Sequence, residues 1–573
     1  MRNFFLRRAL FPLLMLACAG AGAGPDLTPA AAARAQVDGA SMLKHIGVLA
    51  SDEFEGRMLA TRGETMTLDY LTQQMAKLGL TPGNPDGSWL QKVPLVGVRS
   101  TPTLSYSGHG KTTALAFPDD FVVRSWQLQA QVAVQASEMV FVGYGVIAPE
   151  FGWDDFKGID VKGKTLVMLI NDPPVPDPKD PSRLDPAVFG GKAMSYYGRW
   201  TYKYEIAARL GAAAVLIVHE AKPAAYPYEV VRTGGANEGF AIRQEGEDPS
   251  HPAVHGWLQI ERAKDLLRAA GQDFDTLKAR AARRDFKPVP LGLKADFKIE
   301  NHWRDVASYN VIGKLEGSDP QLKDEYVVYS AHWDHFGHDP TLPGPRSAQI
   351  YHGAVDNASG VAALLELAKA YKALPVAPKR SILFLLPTAE ERGLLGSYYY
   401  ASHPLYPLAR TLIDINMDMM NMHGRTRDVQ VSGYGKSNTD EWIAQAAREQ
   451  GRVIKAADAE GGLFFRSDHF SFAKQGVPVL FVETGSDYIG KPARFAADML
   501  EQFEAHTYHK VVDTVQADWD LSGAVQDTQL LFQVGYDVAQ GAHKPQWKEG
   551  AEFKAAGDAL VKTGASAQSG AAR

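Results

Sequence analysis

SILFLLPTAEE, residues 381–391, is the stretch on which the reading of the fold turns. Ser381 to Leu386 is an unbroken apolar run of strand length, the pattern of a strand covered on both faces of a parallel sheet. Directly behind it the chain turns at Pro387 and presents two adjacent acids, Glu390 and Glu391. The same order recurs on either side. Tyr326 to Ser330 reads as a short strand followed by His332, Asp334 and His335, and Gly360 to Leu374 reads as an apolar helix opened by a loop that holds Asp356. Thr411 to Ile415 reads as a strand followed by Asp418, and Val477 to Val482 as another strand. Strand–helix alternation predicts an α/β domain over 300–545, built on a mainly parallel mixed sheet with helices on both faces.

Upstream the texture differs. Leu68, Leu71, Met75 and Leu78 recur at helical spacing, closed by Gly79 and Pro82, and 84–135 holds short strand-like runs. We expect 40–135 to be the N-terminal part of the same domain. Between them, 136–295 reads as an inserted β-rich or α/β module: strands at Val140–Val142, Thr165–Ile170 and Ala213–Val218, a helix at Tyr202–Leu210, and a Pro/Asp-rich loop from Asp172 to Pro186. The Ala/Pro-rich residues 24–38 predict a mobile leader. The Ala/Gly/Ser-rich end, 550–573, predicts a disordered tail.

The whole chain has 573 residues, 22% charged and 45% hydrophobic, with a net charge of −6. That balance excludes a disordered or coiled-coil chain and offers no basic face for nucleic acid. Residues 1–23 carry three arginines, an apolar run from Ala9 to Ala19 and a small-residue site at Ala21–Ala23, and so predict an export signal. The run is too short for a membrane span, and no other stretch is long enough. The chain is therefore expected to be extracytoplasmic, periplasmic or secreted; acylation at Cys18, the single cysteine, is the less favoured route. One cysteine excludes a disulfide framework and a cysteine zinc site, so any metal must be held by His, Asp and Glu.

Those residue types are placed where they can converge. His332, Asp334, His335, Asp356, Glu390, Glu391, Asp418 and His509 all follow predicted strands or sit in loops, and in open α/β sheets the carboxyl ends of strands line the ligand crevice. Two histidines and three carboxylates suit a pair of zinc ions sharing one carboxylate. The side chains of Glu390 and Glu391 diverge, which suggests one as ligand and one as base. Taken singly, Asp356 reads as a helix cap and His332 as a structural histidine; it is the ordered set that argues for chemistry.

GAVDNASG (353–360), PTAEERGLLGS (387–397), NMDMM (416–420), YHKVVDT (508–514), SAHWDHFG (330–337) and LASDEFEGR (49–57) together resemble the co-catalytic zinc aminopeptidases. That family takes in the secreted bacterial leucyl aminopeptidases and vacuolar aminopeptidase Y. The resemblance covers about 40–540, with 136–295 similar to a protease-associated domain. It implies an exported enzyme with two Zn2+ ions that hydrolyses the N-terminal residues of peptides. Carried over, it implies His332 and Asp418 on one ion, Glu391 and His509 on the other, and Asp356 bridging. Glu390 would be the general base, Asp334 would orient His332, and the Asp356–Asn357 bond would be cis. Val355 departs from the family, where a second acid is common. His335, His338 and His352 read as non-ligands, and Asp468 and His469 as structural support.

Rival chemistries lack their signatures: His219-Glu220 does not extend to HExxH, no GxSxG occurs, and the Gly435-Lys436-Ser437 text lacks the glycine at 430 that a phosphate loop needs. Alternatives on the same scaffold are a carboxypeptidase, for which Arg346, Arg392 and Arg466 are candidates to hold a substrate carboxylate, a glutaminyl cyclase, or a silent binding protein. Oligomeric state is not legible.

Overall fold

The computed structural model describes residues 28–244 and 250–571. The alternating segments assemble into a 16-stranded sheet that serves two large hydrophobic cores, with two smaller clusters beside them. The C-terminal half supplies strands in the spatial order Val453–Ala456, Asp428–Ser432, Val479–Glu483, Thr411–Asn416, Tyr326–Ser330, Ser381–Leu386. Tyr326–Ser330 runs parallel to both of its neighbours. Every residue of Tyr326–Ser330 and Ser381–Leu386 is buried, which is why their sequences are continuously apolar rather than alternating. Parallel strands end on one edge, so the loops after Ser330, Leu386 and Asn416 open side by side.

Behind that edge lies helix Gly360–Lys372, buried except at Lys369 and Lys372. It packs against helices Gly39–Leu49 and Ser522–Gln540, so its apolar residues have partners all round. The predicted helix around Leu71 spans Arg62–Lys77 and buries Leu68, Leu71 and Met75.

The second core is built on Gln131–Phe141, Thr165–Leu169, Ala214–His219 and Val254–Gln259, joined as parallel neighbours. One strand, Val289–Leu315, spans 27 residues and belongs to both halves. Its first part pairs antiparallel with Gln131–Phe141 and its last with Ser381–Leu386. Along most of its length burial alternates residue by residue, the pattern of a strand packed on one face.

Three sequence-based expectations change here. The second core takes in Leu104, Tyr106, Phe121 and Val132, so it draws on chain before residue 136; the cause is pairing, since Leu90–Gly108 lies along Val289–Leu315 and Phe121–Arg124 along Val254–Gln259. The expected mobile leader contains helix Pro29–Arg34, capped by the Thr28 hydroxyl, and Ala30, Ala33 and Val37 are buried in the first core. The expected disordered tail contains helix Lys554–Ala571, preceded by buried Phe553, while Trp547 donates from Nε1 to the Gly476 carbonyl at 2.9 Å. In both terminal cases a few apolar anchors outweighed a composition that favours disorder. The export signal and Cys18 lie outside the described residues. Among the described residues no helix is long and apolar enough to cross a membrane.

Candidate metal centre

The loops on the shared strand edge bring His332, Asp334, His335, Asp356, Glu390, Glu391, Asp418 and His509 to one place. His332 Nε2 lies 3.3 Å from Asp356 Oδ1, 3.4 Å from Asp418 Oδ1 and 3.9 Å from Glu390 Oε2. His509 Nε2 lies 3.3 Å from Asp356 Oδ2 and 3.2 Å from Glu391 Oε2. Asp356 therefore turns one oxygen to each imidazole. Ligand atoms of His332, Glu390 and Asp418 fall within 4.8 Å of one another, and so do those of His335, Asp356 and Glu391.

Each group is held from behind. Asp356 sits in the irregular turn Ala354–Ser359, its bond to Asn357 is cis, and its backbone N–H donates to Asp513 Oδ2 at 3.0 Å. Val355, the departure from the family pattern, contributes its own N–H to the same Asp513 carboxylate at 2.9 Å. Ser467 donates to Asp418 Oδ2 at 2.7 Å and accepts from Asn416 at 2.7 Å. Asp334 meets His332 through its backbone carbonyl, 3.2 Å from Nδ1, with its carboxylate at 3.9 Å. That carboxylate accepts the Glu390 backbone N–H at 3.0 Å, so it fixes the Glu390 turn more directly than the imidazole.

His335 is the residue the sequence reading set aside. It is buried, and its Nδ1 lies 2.6 Å from Glu391 Oε1. Its position in an irregular loop gave no periodicity from which to place it. His338 and His352 turn elsewhere, to Gln349 and Asp52. Asp468 is buried beside the centre, where burial pushes its carboxyl up to about 7. Burial lowers its neighbour His469 to about 3 and keeps that imidazole neutral.

The electrostatics follow from packing so many acids into a buried site. Burial disfavours a charged His332, but Glu390, Asp418 and Asp356 outweigh it and hold its pKa well above the ordinary imidazole value. Burial, reinforced by Glu391, Asp418 and Asp468 against the opposing pull of His332, holds the Glu390 carboxyl well above the usual carboxylate range. His332 Nε2 and Asp418 Oδ1 are buried with no hydrogen-bond partner. A divalent cation accepting imidazole nitrogen and carboxylate oxygen would satisfy both atoms.

Arg57 braces the loops. Fully buried, it donates from Nε to Trp333 O (2.9 Å), from Nη1 to Leu49 O (2.8 Å) and His352 O (2.6 Å), and from Nη2 to Gly353 O (2.9 Å). Gly353 is required at φ 58°, since a Cβ there would lie 2.2 Å from the Asp356 carbonyl oxygen. Arg57→Met is expected to cost about 3 kcal/mol or more in urea unfolding, because charge-assisted hydrogen bonds to buried carbonyls are lost and the carbonyls left unpaired. A loss below about 1 kcal/mol would remove this bracing role.

Residues 310–533 match the model of peptidase family M28. The match falls wholly within the C-terminal half of the chain. Aminopeptidase NAALADL1 of Mus musculus is 28% identical over 214 residues, 36% of this chain and 25% of that protein. Aminopeptidase YwaD of Bacillus subtilis is 30% identical over 174 residues, 30% of this chain and 34% of that protein. The matches thus span about a quarter to a third of these relatives' length. Among solved structures, an aminopeptidase from Aneurinibacillus sp. strain AM-1 is similar at 18% identity and a TM-score of 0.47, covering 89% of this chain and 96% of that one. The M28 segment contains every residue of the centre, from His332 to His509; Arg57 braces it from outside.

Proposed function

We propose that the chain is an exported two-zinc aminopeptidase that removes residues from the N-termini of peptides. The observation that carries this reading is one of charge. Asp356, Glu390, Glu391 and Asp418 converge with three imidazoles, and among the described residues no lysine or arginine forms an ion pair with any of them. Buried carboxylates without a counter-charge are costly, and two divalent cations would balance these four. Imidazole and carboxylate donors with no thiolate suit zinc.

His332 and Asp418 would hold one ion, Glu391 and His509 the other, and Asp356 would be shared, an arrangement supported by its two oxygens facing the two imidazoles. His335 would steady Glu391. When bound, a zinc pair supplies Lewis acidity to the scissile carbonyl and lowers the pKa of an attacking water towards 7. Glu390, which stands further from His332 Nε2 than Asp356 and Asp418 do, would take the proton of that water and return it to the departing amine nitrogen. Its raised pKa suits a group that must both accept and release a proton. A free substrate α-amino group would bind one ion beside these carboxylates, which suits action at the amino terminus. The second core is read as a protease-associated module covering the cleft, on the strength of the resemblance.

The test is mass spectrometry of an unblocked decapeptide incubated with the zinc-loaded chain. A ladder shortening from the N-terminus is expected. A ladder from the other end, or an intact peptide, would overturn the aminopeptidase reading.

A further inference from the structure

We propose that Arg199 and Arg466 form an anchor for a substrate carboxylate, so that the enzyme prefers peptides carrying a carboxylate close behind the scissile bond. The proposal rests on the peptidase reading above.

Arg466 lies one residue before Ser467, whose hydroxyl donates to Asp418, and this places it at the edge of the metal centre. Arg199 comes from the other half of the molecule, immediately before helix Trp200–Arg209 of the second core. The segments that carry them touch where the Tyr196 ring lies 6.1 Å from that of Phe465, and the Tyr226 ring centre is 5.9 Å from the Arg466 guanidinium carbon. Arg466 is near enough for its charge to act on Arg199. Burial and that like charge push Arg199 down to about 10, so it remains cationic at neutral pH.

Neither guanidinium is satisfied. Arg199 Nε, Arg466 Nε and Arg466 Nη2 are buried without a hydrogen-bond partner, and among the described residues no acid forms an ion pair with either side chain. Three more deeply buried arginines behave differently. Arg57 is saturated by backbone carbonyls, Arg380 binds Glu325 at 2.8 Å, and Arg452 binds Asp527 at 2.7 Å. Arg346, another arginine singled out in the sequence, is occupied by Glu55 at 2.7 Å.

Guanidinium nitrogens buried without a partner are costly, and a planar carboxylate is the ligand whose geometry matches a guanidinium fork. With the amino terminus at the metal centre on that reading, the anchor is left for the opposite, carboxylate-bearing side of the peptide. That carboxylate is either the C-terminal group of a very short peptide or an acidic side chain, and the same chemistry recognises both.

The experiment measures kcat/KM of the zinc-loaded full chain on leucyl-glycine against its amide, and on leucyl-glutamate amide against leucyl-glutamine amide. Loss of a charge-assisted contact predicts at least a tenfold preference for the charged member of one pair, up to about a hundredfold. A preference in the first pair assigns the terminal carboxylate; one in the second assigns the side chain. In Arg199→Gln and, separately, Arg466→Gln, that preference is expected to fall towards one. The two variants lie in opposite halves of the molecule, and either alone suffices. Ratios within threefold of one in both wild-type pairs would overturn the proposal, as would a preference that survives in both variants. Hydrolysis of the amides without discrimination refutes the anchor and spares the peptidase reading. Hydrolysis of no substrate removes both.

Discussion

Glu390→Gln is expected to bind two zinc ions as the parent does and to lose about 10²- to 10⁴-fold in kcat, the range for removing a positioned general base. The geometry separates these two effects. Glu390 Oε2 is 3.9 Å from His332 Nε2, further than the Asp356 and Asp418 oxygens at 3.3 and 3.4 Å, so the metal-facing donors survive the change. The amide keeps the shape of the side chain, and the backbone N–H at 390 still donates to Asp334. What disappears is the capacity to take a proton. Zinc content by elemental analysis and single-turnover rates on a peptide together decide the matter. Loss of metal with activity would make Glu390 a ligand, and an undiminished rate would move the base elsewhere.

Asp356→Ala should have the larger effect on metal content. Asp356 faces both His332 and His509, one oxygen to each at 3.3 Å, whereas Asp418 meets only His332. Removing it is expected to reduce bound zinc from two ions to one or fewer after dialysis and to bring peptide hydrolysis to background. Asp418→Ala is the comparison: it should weaken the ion beside His332 and spare the Glu391–His509 side. The Asp356 turn is held by backbone N–H donation from 355 and 356 to Asp513, which the substitution leaves in place. Loss of metal is therefore separable from loss of fold by circular dichroism. Retention of both ions in Asp356→Ala would exclude a bridging role.

The parts of the site legible in the sequence were those tied to strand ends. His332, Glu390, Glu391 and Asp418 each follow an apolar run that could only be a buried strand, and parallel strands must release their loops on one edge. Asp356 and His509 were legible as loop residues that could converge, and their roles came from the ordered motifs that resemble a known family, since a loop acid before a helix is ordinarily a cap. His335 was passed over because nothing in an irregular loop distinguishes a histidine 2.6 Å from Glu391 from one facing solvent. Arg57 could not be read as a brace at all, because its carbonyl partners lie as far away as position 353.

By itself, then, the sequence determined the α/β architecture of 300–545, the residue types open to a metal and the edge on which they gather, because these follow from local apolar runs and their order. Tertiary structure alone decided that the chain near residue 104 joins the second core, that both described termini form helices, and that the segment before Arg199 packs on the segment before Arg466. Each of these depends on contacts between residues far apart in the chain. Such contacts leave no periodic trace, because what stabilises them is the surface buried or the charge left unpaired when two distant segments meet.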